Sequence, residues 1–457
     1  MTDLEVDVLV IGWGKGGKTL AGAMGRKGRT VALVEQSTAM YGGSCINIAC
    51  VPTKDLVHSA SARREHDDPQ TYFAGALAGR DSLTDKLRAR NRAMLAEVDA
   101  VTLIDGRARF IGTHEVEVTG GTDTLAIRAD HIIINTGTEP ARPAFPIESA
   151  RLHDSTTIQH VDPLPERLVV IGGGYVGLEF AQMFAKFGSQ VTVLDHGVEF
   201  MRREDREVAA TVRALLEESG VQIVLDADVR GVRDRAESAI VEARVGEENR
   251  EFEADAVLVA IGRRAVTGEL DLDAAGVAQD ERGFVRVDER LRTSARHIFA
   301  VGDVNGGPQF TFISLDDNRI VLDQLDGEGA RSTDDRVAVP YTVFLTPPLA
   351  RVGISEHEAR ALGRRVLVTS KAVADIAAMP RPKIVGETHG LITVLIDADS
   401  DLILGATVFS IDAQEVINLI ALAMRHDITA SDLRDGIWTH PSSTEALNEV
   451  LAALRPL

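Results

Sequence analysis

The chain has 457 residues, 44% of them apolar, and a formal net charge of −20 at pH 7; such a length exceeds what one hydrophobic core organises and predicts about two to four domains. The acidic balance argues against nucleic-acid and anionic-membrane partners, and no apolar run approaches the roughly 20 residues of a membrane-spanning helix. The acidic start Met1-Thr2-Asp3-Leu4-Glu5 lacks the basic region of a signal peptide, which gives a cytoplasmic expectation.

Val6-Asp7-Val8-Leu9-Val10-Ile11 is a short strand-like run ending in Gly12-x-Gly14-x-x-Gly17, and the next such run, Val31-Ala32-Leu33-Val34, ends at Glu35. In a dinucleotide-binding unit the glycines permit the tight turn and the approach of a pyrophosphate, while the acid takes a ribose hydroxyl. The same turn, read through Lys18-Thr19, also satisfies the G-x4-G-K-[ST] pattern of a P-loop NTPase. Glu35 argues against that reading, and so does a second glycine turn downstream that lacks any Lys-Thr. Lys18 and Thr19 are then early helix residues, placed to aid the pyrophosphate.

Gly42-Gly43-Ser44-Cys45-Ile46-Asn47-Ile48-Ala49-Cys50-Val51-Pro52-Thr53-Lys54 holds both cysteines of the chain. Five helical residues advance about 7.5 Å, beyond the roughly 7 Å that a disulfide spans between Cα atoms. Cys45 is therefore expected in a bent start to the helix, where a bridge to Cys50 would be strained and easily reduced. A helix N-terminus also favours thiolate. The segment reads as a redox dithiol. Inert buried cysteines and half a metal site are the other readings, but a structural zinc site needs more ligands than a lone pair supplies, and no second pair or local histidine cluster is present.

Ile132-Ile133-Ile134-Asn135-Thr136-Gly137-Thr138 and Val257-Leu258-Val259-Ala260-Ile261-Gly262-Arg263 mark the chain leaving two dinucleotide regions. Pro163 and Pro165 open the second, where Leu168-Val169-Val170-Ile171 leads into Gly172-x-Gly174-x-x-Gly177 and Val191-Thr192-Val193-Leu194 ends at Asp195. In each copy the acid stands 23 positions after the first glycine, 12 to 35 and 172 to 195. Two dinucleotides are implied. Ile298-Phe299-Ala300-Val301-Gly302-Asp303 is a strand ending in an acid that can meet a ribityl hydroxyl, and from about Ala338 strands alternate with helices. The expected fold class is α/β, with two nested Rossmann-like dinucleotide-binding domains and a C-terminal α+β domain. The boundaries are 1–160 for the first dinucleotide-binding part with the dithiol, 161–283 for the second dinucleotide-binding domain, 284–337 for the return to the first and 338–457 for the C-terminal domain.

The cysteine segment closely resembles the active-site segment of the flavin disulfide reductases, the family of glutathione reductase, lipoamide dehydrogenase and mercuric reductase, and the resemblance extends over essentially the whole chain. It implies FAD held by Gly12, Gly14, Gly17, Glu35, Gly43, Lys54, Thr136, Gly137, Gly302 and Asp303. It implies a nicotinamide cofactor held by Gly172, Gly174, Tyr175, Gly177, Glu179, Asp195 and Gly262. Cys50 would be the thiol nearest the flavin and Cys45 the one that meets substrate. Lys54 would approach the flavin and pair with Glu179, with Tyr175 as an aromatic lid. NADH is expected over NADPH, because Asp195 suits a ribose 2′-hydroxyl and repels a 2′-phosphate; Arg202 and Arg203 are the opposing signal.

His440-Pro441-Ser442-Ser443-Thr444-Glu445 resembles the family segment whose histidine, held by a glutamate, serves as acid or base for the dithiol of the other subunit, which implies a homodimer and a C-terminal dimerisation domain. His58 and His389 are expected to be structural. The chain departs from the family at Ala49, where relatives place glycine, and the absence of a C-terminal cysteine pair argues against efficient mercury reduction.

Four further stretches, Glu35-Gln36-Ser37-x-Ala39-Met40-Tyr41-Gly42-Gly43, Gln309-Phe310-Thr311-x-Ile313-Ser314-Leu315-Asp316-Asp317, Arg331-Ser332-Thr333-Asp334-Asp335-Arg336 and Pro340-Tyr341-x-Val343-Phe344-x-Thr346-Pro347-Pro348, are similar to the bacterial reactive-chlorine-resistance flavoenzymes, a branch associated with copper(II) and hypothiocyanous acid. The resemblance implies NADH-driven reduction of a metal ion or small oxidant through Cys45 and Cys50, with any copper or mercury touching those sulfurs only as substrate. A disulfide reductase on the same scaffold and a non-enzymatic copper-binding or redox-sensing protein are the alternatives.

Overall fold

The computed structural model describes residues 4–120, 124–361 and 363–457. It forms two compact units, one of residues 1–56, 75–142 and 262–336, the other of residues 57–74, 143–261 and 337–457.

The first unit is built on β1 (Leu4–Ile11), β2 (Val31–Glu35) and β3 (Val101–Asp105), with β4 (Arg107–Phe110), β5 (Glu115–Thr119) and β6 (Leu125–Ile134). They join in the order β3-β2-β1-β6-β5-β4, and Ile298–Ala300 lies parallel to the last residues of β6. β2 is buried throughout, as a strand covered on both faces of a parallel sheet must be. One face carries α1 (Lys15–Arg26) through Leu20, Ala21 and Met24. The carboxyl end of β1 thus delivers the glycine turn to the edge where parallel sheets bind ligands.

The second unit repeats the plan. Arg167–Ile171 lies between Gln190–Leu194 and Ala256–Val259, all parallel, with Val221–Val224 and Leu152–His153 outside them. Three antiparallel strands, Ala227–Arg235, Ser238–Val245 and Glu248–Ala254, interrupt it. Its C-terminal part is a six-stranded antiparallel sheet with Leu391–Asp397 near the middle. Alternation sorts that strand: Ile392, Val394 and Ile396 meet Val416, Ile417 and Ile420 of the helix Ala413–Arg425, and Leu395 faces Ala359 and Val368. The fold class is the α/β one expected, and no helix of the described residues is long and apolar enough to cross a membrane.

Candidate active site

Two irregular steps make the dithiol segment. Gly42 and Gly43 take φ of 98° and 80°, and they lead into α2 (Ser44–Asn47), the single turn that carries Cys45. A Cβ on Gly43 would stand 2.8 Å from Gly14 Cα, so glycine is what lets this turn lie against the first glycine turn. Ile48 then leaves helical geometry at φ −141°, and α3 (Cys50–Ala62) starts afresh. This break is the bend that two cysteines five apart require. Ala49 is not among the positive-φ residues, so alanine occupies the family's glycine position without backbone strain.

Cys45 is half-buried and Cys50 exposed, both as free thiols. The Cys45 thiol donates to Cys50, whose sulfur is 3.4 Å from Thr311 Oγ1. These hydrogen bonds, with Lys54 one turn along α3, bring the Cys50 thiol down to about 6. The same donation and burial push Cys45 up. The proton of the pair resides on Cys45 and the negative charge on Cys50.

Side chains remote in sequence fix the first glycine turn. Gly17 N donates to Asn135 Oδ1 at 2.8 Å and Gly16 N to Ser314 Oγ at 3.0 Å, while Asn135 Nδ2 donates to Val301 O at 2.8 Å. The start of α1 has neither a side-chain cap nor an acid in its first turn, leaving its positive end for an anion. Glu35 is buried, accepting from Trp13 N at 3.0 Å and Ser37 N at 3.1 Å, and burial pushes its carboxyl up. Its remaining lone pairs suit a ribose hydroxyl. Thr136 Oγ1 is buried with no partner among the described residues, next to Gly137 at φ 68°. Asp303 Oδ2 accepts from Thr138 Oγ1 at 2.9 Å, and burial raises its carboxyl. Gly302 N donates to Asp317 Oδ2 at 2.6 Å. Arg336 pairs with Asp317 and, at 2.8 Å, with Asp316. The two acid and arginine stretches noted in the sequence thus brace the Gly302-Asp303 turn. Lys18, expected beside the pyrophosphate, instead donates to Gly42 O at 3.0 Å and Asn91 Oδ1 at 2.5 Å.

In the second unit the helix α5 (Tyr175–Phe187) also starts with no cap and no acid in its first turn. A Cβ on Gly177 would stand 2.1 Å from Gly172 O, and one on Gly173 2.7 Å from Asp195 Oδ2, so the Asp195 carboxylate overhangs the turn. Arg202 and Arg203 are exposed. Glu179 is buried and accepts from Phe344 N at 2.7 Å. The Tyr175 hydroxyl donates to Glu204 Oε1 at 2.5 Å, the Tyr341 hydroxyl to the same oxygen at 2.8 Å, and Arg351 Nη1 to Glu204 Oε2 at 3.0 Å. Glu204 is a residue that sequence reasoning missed. Exposed His440 has Nδ1 2.9 Å from Glu445 Oε1, and Ser442 N donates to the other oxygen at 2.8 Å; the first of these bonds leads in holding Glu445 below the usual carboxylate range. Gly262 O accepts from Ala141 N at 2.9 Å. His389 pairs with Glu387 and Glu218. Among the described residues no cluster of His, Cys, Asp or Glu could hold a metal ion.

Residues 6–316 match the pyridine nucleotide-disulphide oxidoreductase profile, and residues 339–451 match the dimerisation domain of the same family. The chain belongs to the pyridine nucleotide-disulphide oxidoreductase family. It is 42% identical over 453 residues to the probable pyridine nucleotide-disulfide oxidoreductase RclA of Escherichia coli, covering 99% of this chain and 100% of that one. It is 33% identical to the dihydrolipoyl dehydrogenase of Haloferax volcanii, over 97% of this chain and 95% of the relative. A solved Cu(II) complex of the HOCl-induced flavoprotein disulfide reductase RclA from Escherichia coli superposes with a TM-score of 0.93 at 42% identity, covering 98% of this chain and 99% of the other. Family members are FAD-dependent oxidoreductases that use a pyridine nucleotide, and the dimerisation domain indicates a homodimer. The P-loop reading falls with this assignment. The uncapped α1, buried Glu35, unpartnered Thr136 and raised Asp303 fit a flavin dinucleotide.

Proposed function

We propose that this oxidoreductase uses NADH to reduce copper(II) or a small oxidant of the hypothiocyanous acid type through Cys45 and Cys50, as part of a defence against oxidative stress. The observation that carries the reading is the pair of free thiols on the break between α2 and α3, with the Cys50 sulfur 3.4 Å from Thr311 Oγ1. FAD, which the Gly12–Gly17 turn, Glu35, Thr136 and Asp303 would hold, would supply the redox chemistry between the nicotinamide and the disulfide.

The chain's own residues do the rest. Thr311 and Lys54 favour the Cys50 thiolate, and Cys45 is the sulfur that meets the acceptor. The reduced pair gives up two electrons as the S–S bond forms. Two copper(II) ions each take one, or hypothiocyanous acid takes both and leaves as thiocyanate and water. With copper(II) as acceptor the thiol proton is released to the His440 imidazole of the other subunit, oriented by Glu445; with hypothiocyanous acid the same proton goes on to the oxygen that leaves as water. Support for copper comes from the relative solved as a Cu(II) complex. For the nicotinamide, Asp195 over the glycine turn favours NADH, and Tyr175 serves as the lid.

Two experiments test the proposal. The ratio of kcat/KM for NADH and NADPH is expected to favour NADH in the wild type and to fall in Asp195→Ala; a wild-type preference for NADPH contradicts the cofactor assignment. His440→Ala is expected to slow the dithiol steps far more than reduction by nicotinamide, and equal slowing in stopped flow makes His440 a structural residue instead.

A further inference from the structure

Three consecutive carbonyls precede Cys45, and each is held by a side-chain nitrogen. Asn47 Nδ2 donates to Tyr41 O at 3.0 Å and to Gly43 O at 2.9 Å, and Lys18 Nζ donates to Gly42 O at 3.0 Å. Both holders are tied to α4 (Pro69–Ala96): Arg88 Nε donates to Asn47 Oδ1 at 2.9 Å, and Asn91 Oδ1 accepts from Lys18 at 2.5 Å. Without such partners two glycines at φ 98° and 80° would leave the turn free to shift, and Cys45 with it.

Lys18 brings something that Asn47 does not. Burial and the neighbouring Lys15 lower its ammonium to about 8 while Cys45 stabilises it, and the ammonium in turn favours the Cys45 thiolate. The other charges around the turn are Lys15 on the same helix, Arg88 paired with Asp85 and Arg92 over the Tyr41 ring on α4, and Asp105, which accepts from the Tyr41 hydroxyl. Lys18 is thus a half-buried cation aimed at the backbone of the dithiol turn.

We propose that Lys18 is a positioning residue of the dithiol, its ammonium clamping the Gly42 carbonyl so that Cys45 is fixed at the start of its helical turn. The inference rests on the dithiol reading above.

The test uses the FAD-loaded protein, reduced, and follows iodoacetamide alkylation of Cys45 against pH by peptide mass spectrometry. Lys18→Met is expected to slow alkylation at pH 7 about tenfold, the equivalent of one pKa unit, and to move the profile upward. Lys18→Arg keeps the charge and restores most of the rate. Asn91→Ala, which releases one of the two hydrogen bonds, gives a smaller change in the same direction. A Lys18→Met profile that superimposes on the wild type overturns the proposal, and so does an unchanged Asn91→Ala profile should Lys18→Met fail to fold. The dithiol reading fails separately, if dithionite titration of the wild type consumes no more reducing equivalents than the flavin alone accepts.

Discussion

Cys50 has the most sharply defined chemistry of any side chain in the molecule. Its thiol, brought to about 6 by Cys45, Thr311 and Lys54, is ionised above that pH and protonated below it. A thiolate against oxidised flavin gives a long-wavelength absorbance, so in the reduced protein that band is expected to be full near pH 7.5 and to fade as pH drops through about 6. Cys45→Ser should retain the band and Cys50→Ser should lose it; the reverse pattern exchanges the roles of the two sulfurs. Thr311→Val removes a hydrogen bond that favours the thiolate and is expected to move the titration upward. An unmoved midpoint in that variant would show that Thr311 does not tune the sulfur.

Among elements, the break between α2 and α3 decides where the sulfurs stand. Because Ala49 has no positive φ, Ala49→Gly is expected to add chain entropy to the unfolded state and to destabilise by roughly 0.4–1 kcal/mol, measured by denaturant unfolding; stabilisation would mean that the methyl strains the bend. A second element, the turn before residue 206, is pinned to the strand Leu349–Gly353 by the buried pair Arg351 and Glu204, whose side chains are 7% and 1% exposed. Removing one partner strands a charge, so Arg351→Met is expected to cost about 3–5 kcal/mol. A loss below about 1 kcal/mol, the size of an exposed pair, would contradict the burial.

Much of this was legible because it is local. The spacing of glycines and acid in each dinucleotide unit, and the cysteine spacing that demands a bend, are written in consecutive residues. What escaped is held through space: Lys18 reaching Gly42, Asn135 holding Gly17, Asp317 holding Gly302, and Glu204 shared by Tyr175 and Tyr341. Each depends on a contact that only the folded sheets create. Asn135 left a trace, as the polar residue after the run Ile132–Ile134, and so did the acid and arginine stretches around Asp317 and Arg336. Lys18 misled, since its helix position suggested phosphate while its amine turned to the dithiol turn.

For the molecule as a whole, the proposed function has electrons leave through the dithiol and not directly from the flavin. The decisive measurement is NADH consumption with copper(II) and with hypothiocyanous acid as acceptors, in the wild type and in the Cys45→Ser, Cys50→Ser double variant at equal flavin content. Steady turnover is expected in the wild type, collapsing to the slow background of flavin oxidation by oxygen in the double variant. Equal turnover of these acceptors by the two proteins would contradict it.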